Sequence, residues 1–190
     1  MAQTRGQVRI IAGRFGGRSI RVPPGRGIRP TGARVREALF SILDSRDSGL
    51  ADAHVLDACA GSGALGFEAL SRGASHVTFL DADRRAVDTI AQTARDLGAG
   101  DRVTARRGDA TRPPRAPQGP VDLVLLDPPY DSDIADTAPN ALAAAGWIEA
   151  NTLVVIETRK TAPVVPGTGF VIADHREYGD TSLFFLKLSG

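Results

Sequence analysis

One cysteine, Cys59, occurs in 190 residues, so no internal disulfide framework can form, and a reducing, cytoplasmic setting is expected. Histidine is almost as scarce. His54, His76 and His175 are scattered without metal-ligand spacing, and no metal is expected. No apolar run approaches bilayer-spanning length, and the arginine-rich start has no apolar h-region, so neither membrane nor secretory signal is expected. Lysine is nearly absent, with only Lys160 and Lys187. The first 36 residues contain no acid at all. They hold nine arginines (Arg5, Arg9, Arg14, Arg18, Arg21, Arg26, Arg29, Arg34 and Arg36), which gives +9 there and −8 in the remaining 154 residues. A basic arm on a mildly acidic body suggests docking on a polyanion, the bland alternative being a solvated tail. Arg9, Arg14, Arg18, Arg21, Arg34 and Arg36 are the candidate RNA-binding residues.

What is present is an alternation of strands and helices. Val8 to Ala12 and Arg18 to Val22 flank the turn-forming Gly13 to Gly17 and read as a hairpin. Thr31 is placed to cap a helix through Leu43, with Val35, Ala38, Leu39, Ile42 and Leu43 on one face. Residues 1–50 thus form a basic appendage and residues 51–190 a core. In the core, apolar segments at Val55–Leu56, Val77–Leu80, Val103–Arg107, Val121–Leu126 and Thr152–Glu157 alternate with helical stripes. One stripe is Val87, Ile90, Ala91, Ala94 and Leu97, capped by Asp83; another helix is expected over Ala135 to Ala145. Phe170–His175 and Leu183–Leu188 close the chain as a hairpin. This pattern predicts an α/β fold with a doubly wound, mostly parallel seven-stranded sheet.

Two stretches carry chemistry. Gly61, Gly63 and Gly66 give G-x-G-x-x-G between a strand and a helix, with Asp81 at the ribose-binding distance, which by itself suggests a nicotinamide dinucleotide. Asp57 argues against that, because a carboxylate at the end of the first core strand repels pyrophosphate but attracts the ammonium and sulfonium of S-adenosylmethionine. Asp57, Asp81 and Asp109 end three successive strands and could serve, in order, the amino-acid end, the ribose and the adenine amine. Ala60, Gly61, Ser62 and Gly63 of the loop, with Ala82 and Ala110 beside the acids, complete the candidate cofactor set. Ser62 is no nucleophile elbow, since Ala60 stands where a glycine is required.

The second stretch is Asp127-Pro128-Pro129-Tyr130, at the end of the apolar run Val121 to Leu126. Open α/β sheets bind ligands just beyond their strand ends. Neither proline has an N–H, so the Asp127 carboxylate and the Pro128 carbonyl can face a cleft as two acceptors, suited to an exocyclic amine. Tyr130 supplies a flat surface for an extruded base. The bland reading is a strand-ending turn.

Taken together, Asp57 to Gly66, Asp81, Asp109 and the Asp-Pro-Pro-Tyr tetrad resemble the motifs of class I S-adenosylmethionine-dependent methyltransferases acting on exocyclic amines. More narrowly, Arg9–Gly13, Arg29-Pro30-Thr31, Arg34–Phe40, Ala60–Ala74 and Tyr178–Thr181 resemble the RsmD-type methyltransferases of small-subunit ribosomal RNA. The resemblance implies a Rossmann-like core and methyl transfer to the N2 amine of a guanine, of the guanine-966 type, in 16S rRNA. It further implies the partly assembled small subunit as substrate, with a monomeric enzyme. Asp127, Pro128, Pro129 and Tyr130 are then the catalytic set, with Asp127 also touching the cofactor, and Arg29 and Thr31 close over its methionine end. Asp81 stands where the family leads one to expect the longer Glu. Three rivals stay open: an adenine-N6 DNA methyltransferase, an NAD-dependent oxidoreductase and a non-catalytic RNA-binding module.

Overall fold

The computed structural model describes residues 7–23, 32–46, 49–130 and 132–189, and all that follows concerns these. The hairpin is β1 (Gln7–Arg9) and β2 (Ser19–Arg21), antiparallel with Val8 opposite Ile20. Helix α1 (Ala33–Asp44) follows. The core runs β3 (His54–Ala58), α2 (Ala64–Ser71), β4 (His76–Asp81), α3 (Arg84–Asp96), β5 (Val103–Arg107), β6 (Leu123–Leu126), α4 (Ile134–Ala144), β7 (Leu153–Arg159), β8 (Phe170–Tyr178) and β9 (Thr181–Leu188).

Seven strands form one sheet in the order β5-β4-β3-β6-β7-β9-β8. Strands β3 to β7 are mutually parallel, and β9 pairs antiparallel with both β7 and β8. The order reverses between β3, which starts the chain's run towards one edge, and β6, which starts the run towards the other. Such a switch point leaves a crevice at the carboxyl ends of the strands. The glycine loop after β3 and the tetrad after β6 open side by side into it.

Apolar layers cover both faces. One joins Leu123, Leu125, Val155 and Phe185 of the sheet to Leu65 of α2 and Ile90 of α3; the other joins Val124, Leu126 and Ile156 to Leu142 of α4 and Trp147. The appendage is no loose arm. Val8, Ile10, Phe15 and Ile20 of the hairpin and Val35, Leu39, Phe40 and Leu43 of α1 are buried in the first layer. Fully burying one such side chain contributes roughly 1.5–3 kcal/mol, so eight of them fasten the appendage to the core. Deleting it would open that layer to water.

Three local expectations are revised. Helix α1 starts from Gly32, with no side-chain cap bond, and Thr31, the expected cap, lies outside the described residues. Helix α3 buries Ala86, Ile90, Thr93 and Ala94, so its inner face is turned from the expected stripe, and Val87 and Ala91 are only half-buried. Asp57, expected at a strand's end, is the fourth residue of the five-residue β3, because the strand extends two residues beyond the apolar pair Val55–Leu56.

Candidate functional site

The glycine loop is held open by the acids that flank it. Gly61 and Gly63 adopt φ of 56° and 78°, left-handed conformations that glycine reaches without steric cost. Asp81 Oδ2 accepts from Gly61 N at 2.7 Å while its Oδ1 accepts from Asp83 N at 2.8 Å. Asp57 Oδ2 accepts from Gly66 N at 2.8 Å. Gly66 is the third residue of α2, so the buried carboxylate satisfies one of the amides that a helix leaves unpaired in its first turn. Gly66 also has to be small, since a Cβ there would lie 2.3 Å from Cε1 of Phe79. The close approach of α2 to β4, sealed by Phe67 against Phe79, sets how near the loop comes to the crevice.

Register places the two motifs beside each other. Ala58 pairs with Leu126 of β6 and with Leu80 of β4. One step further along, Cys59 stands between Asp127 and Asp81, each about one strand spacing, ~5 Å, away along the sheet. Electrostatics agree. Burial pushes the Cys59 thiol up to about 12, and the charges of Asp81, Asp57, Asp127 and Asp109 all push the same way. Asp57 is held above the usual carboxylate range by burial, opposed by the Gly66 hydrogen bond and reinforced by Asp127 and Asp81. Asp109 is held below it by the Thr111 N–H, then by the Thr111 hydroxyl and Arg112.

The acids gathered at these strand ends bear on the choice between the two cofactor classes. At ~6 Å and an effective dielectric near 20, each anion interacts with a unit charge by roughly 2–3 kcal/mol. Several together oppose a pyrophosphate and favour a sulfonium or ammonium. Asp57, at 1% exposed and already bonded to Gly66, is turned into the core rather than open to the crevice. Asp81 is 3% exposed and committed to two amides, yet a carboxylate has about four acceptor positions, so ribose hydroxyls can still be received. Asp109 is exposed at the crevice rim and Ala110 is buried beneath it; Ala60 and Ser62 are buried in the loop, and Ala82 is exposed after Asp81. Arg29 and Thr31 lie outside the described residues. A thiol so disfavoured as a thiolate should be inert. Alkylation of Cys59 by iodoacetamide at pH 8 is expected to be at least about tenfold slower in the folded protein than in the denatured chain, since thiolate is the reactive form. Equal rates would show that the thiol is not so disfavoured.

In the tetrad, Asp127 is half-buried, Pro128 buried, Pro129 exposed and Tyr130 half-buried. Ser132 Oγ donates to the Pro129 carbonyl at 2.6 Å and closes the turn. Arg159 lies over the Tyr130 ring, 4.9 Å from its centroid, and the Tyr130 hydroxyl is 3.5 Å from Glu157 Oε1. Pro128, Pro129, Tyr130, Ser132, Glu157 and Thr158 line a cleft there. Glu157 and Arg159 were missed in the sequence; the available signal was an acid ending the apolar run of β7, as Asp127 follows that of β6.

The arginines divide. Arg9, Arg14, Arg18, Arg21 and Arg34 are exposed, whereas Arg36 is 2% exposed and donates to the Arg9 carbonyl at 2.8 Å. Arg36 therefore leaves the candidate RNA-binding set. Its place on the apolar face beside Val35 and Leu39 makes it an internal strut. Arg14 N donates to Ser71 O at the end of α2, and Arg18 reaches the Asp96 carbonyl at the end of α3. Eight residues of α2 span ~12 Å, so these two arginines sit at the edge remote from the glycine loop. Arg34, in the first turn of α1, is at the near end, because Asp44 at the other end of α1 pairs with Arg72 below α2.

Comparison with known proteins follows the same lines. The family model described as "Conserved hypothetical protein 95" matches residues 8–187. The chain is 35% identical to ribosomal RNA small subunit methyltransferase D of Haemophilus influenzae, over 94% of this chain and 92% of that one. It is 36% identical to the Escherichia coli protein of the same name, over 90% and 84%. A solved structure described as putative methyltransferase yhhF from Escherichia coli superposes with a TM-score of 0.80 at 31% identity, covering 96% of this chain and 98% of that one. Spanned almost end to end by that family model, and more than 30% identical to such relatives over most of both chains, this chain belongs to the ribosomal RNA small subunit methyltransferase D family.

Proposed function

We propose that this protein transfers a methyl group from S-adenosylmethionine to the exocyclic N2 amine of a guanine in small-subunit ribosomal RNA. The observation that carries the reading is the register that sets Asp127 beside the glycine loop, among acids suited to a cationic cofactor. The cofactor, when bound, supplies a methyl group activated by its positive sulfur. The protein's own residues do the rest. Gly61 and Gly63 let the backbone approach the ligand closely; Asp81 and Asp109 receive its hydroxyls and amine. The Asp127 carboxylate and the Pro128 carbonyl accept the two N–H bonds of the guanine amine, draw its nitrogen towards tetrahedral geometry and aim its lone pair at the methyl group. As the N–C bond would form, the methyl–sulfur bond would break with its electron pair left on sulfur, and the Asp127 carboxylate would receive the proton that the nitrogen gives up. Positioning and fixed charge supply the catalysis.

The substrate is a partly assembled small subunit in the cytoplasm, met by a monomeric enzyme. Exposed arginines on the hairpin and α1 hold rRNA phosphates. Replacing Arg9, Arg21 and Arg34 together by glutamine should weaken RNA binding about uniformly across sequences and reduce the salt slope by up to about 3, roughly one for each phosphate no longer neutralised. An unchanged slope would remove these residues from the interface.

The deciding experiment is mass spectrometry of nucleosides from small subunits and, in parallel, duplex DNA, each incubated with the protein and isotopically labelled cofactor. Label in N2-methylguanosine is the expected result. Label in N6-methyladenine of duplex DNA, or RNA affinity without any incorporation, would overturn it.

A further inference from the structure

Glu157 is 3% exposed, an ionisable side chain shut in at the catalytic edge. Alternate residues of a strand share a face, and Leu153 and Val155 belong to the layer that also contains the hairpin and α1. Glu157 therefore points beneath the appendage. Leu123 and Leu125 face the same layer, so Asp127 does too. The last registered pair of these strands is Leu126 with Ile156, which makes Asp127 and Glu157 the next neighbours. On the side of the appendage stands Arg36, buried and reaching the Arg9 carbonyl; burial makes its guanidinium less basic than usual, and the charges of Glu68 and then Glu157 oppose that. Glu68 in turn accepts from Ile11 N at 2.7 Å and Ala12 N at 3.1 Å. The hairpin backbone is thus hydrogen-bonded to Glu68, the buried Arg36 stands within the fields of Glu68 and Glu157, and Glu157 Oε1 meets the Tyr130 hydroxyl.

We infer that Glu157 is a positioning residue: with Arg159 across the ring face, it fixes the plane of Tyr130, and through Arg36 it ties that ring to the hairpin and α1. The inference rests on the proposed stacking of the target base on Tyr130. A charge inside a protein needs an opposite charge nearby, and Arg36, buried under the appendage, supplies one whose field reaches Glu157. At 3.5 Å the contact with Tyr130 is at the long limit for a hydrogen bond, and such contacts tighten when the substrate is seated. The plane of the ring then sets the plane of the stacked guanine, and with it the angle at which N2 faces the methyl group. A loosely held ring would still bind RNA but would present the amine poorly.

The test separates kcat from KM on small subunits lacking the modification. E157A should lower kcat about tenfold, with KM for the subunit and Kd for S-adenosylhomocysteine changed less than twofold. In a Y130F background, which has no hydroxyl to hold, E157A should add less than a further twofold loss. An unchanged kcat, or the same tenfold loss in Y130F, would overturn the inference. The isosteric E157Q variant and an activity-free readout guard against a misfolded protein. The chain has two tyrosines, so carbon-13 labelling of tyrosine Cζ gives two resonances, and Y130F assigns them. E157Q should shift the Tyr130 resonance and leave that of Tyr178 in place; an unmoved Tyr130 resonance would overturn the inference independently of turnover. A wild-type protein that methylates no rRNA would count instead against the proposed function.

Discussion

Asp127→Ala should lower methyl incorporation into rRNA by at least about a thousandfold while changing S-adenosylhomocysteine affinity less than about threefold. Removing one preorganised polar group from a site where charge develops typically costs 10²–10³ in kcat, and in the proposed reaction the same carboxylate also takes the departing proton. Cofactor affinity should survive because the loop amides are held by other acids, Gly61 by Asp81 and Gly66 by Asp57. Asp127→Asn, which keeps an acceptor but loses the charge, should fall between the two. It also gives a control that needs no RNA. Asp127 helps to raise both the Asp57 carboxyl and the Cys59 thiol, so deleting its charge must let both fall towards their ordinary values. At fixed pH the Cys59 thiolate fraction then rises, and alkylation should quicken in Asp127→Asn. Turnover close to wild type in Asp127→Ala would end the catalytic assignment. Unaltered alkylation in Asp127→Asn would show that its side chain does not face the loop.

The reason so much of this site could be read from the chain is that its parts are local. A strand that ends in Asp-Pro-Pro-Tyr must stop there, since neither proline can donate to a ladder. A loop with Gly61, Gly63 and Gly66 marks a tight strand-to-helix turn, and parallel strands alternating with helices leave few topologies. What the sequence could not show is which partner each side chain takes across the fold. Asp57 resembles a ligand residue by its position after an apolar pair, yet it spends its hydrogen bond on Gly66 inside the core. Arg36 is one arginine among nine in a basic stretch, and only its packing beside Leu39 and Phe40 distinguishes an internal strut from a phosphate contact. The appendage likewise looks separable in one dimension and is continuous with the core in three, because its apolar face shares one buried layer with α2, α3 and the sheet.

That continuity has its strongest test at Glu68, fully buried in α2. Its Oε2 accepts from Ile11 N, and its Oε1 accepts from Ala12 N and from Arg72 Nε at 2.8 Å. Arg72 continues to Asp44, and Arg36 draws stabilisation from Glu68 before any other charge. Glu68→Ala strands two hairpin amides and takes an anion away from the guanidinium groups of Arg72 and Arg36. Breaking a buried pair by removing one partner costs about 3–5 kcal/mol. For a domain of this length about 1 kcal/mol corresponds to about 2–4 °C in Tm, so the melting temperature should drop by on the order of 10 °C. Glutamine cannot restore the arrangement. Its amide offers one carbonyl oxygen and one donor group, so one of the two hairpin amides would face a donor, an unsatisfied contact costing about 1–3 kcal/mol. Glu68→Gln should therefore also melt measurably below wild type, in contrast to a surface Glu→Gln change such as Glu177→Gln, whose salt bridge with Lys160 is exposed. Thermal unfolding followed by circular dichroism decides the matter. A Tm for Glu68→Ala within about 2 °C of wild type would mean that the hairpin is held by its apolar side chains alone, and that Glu68 is no anchor for it.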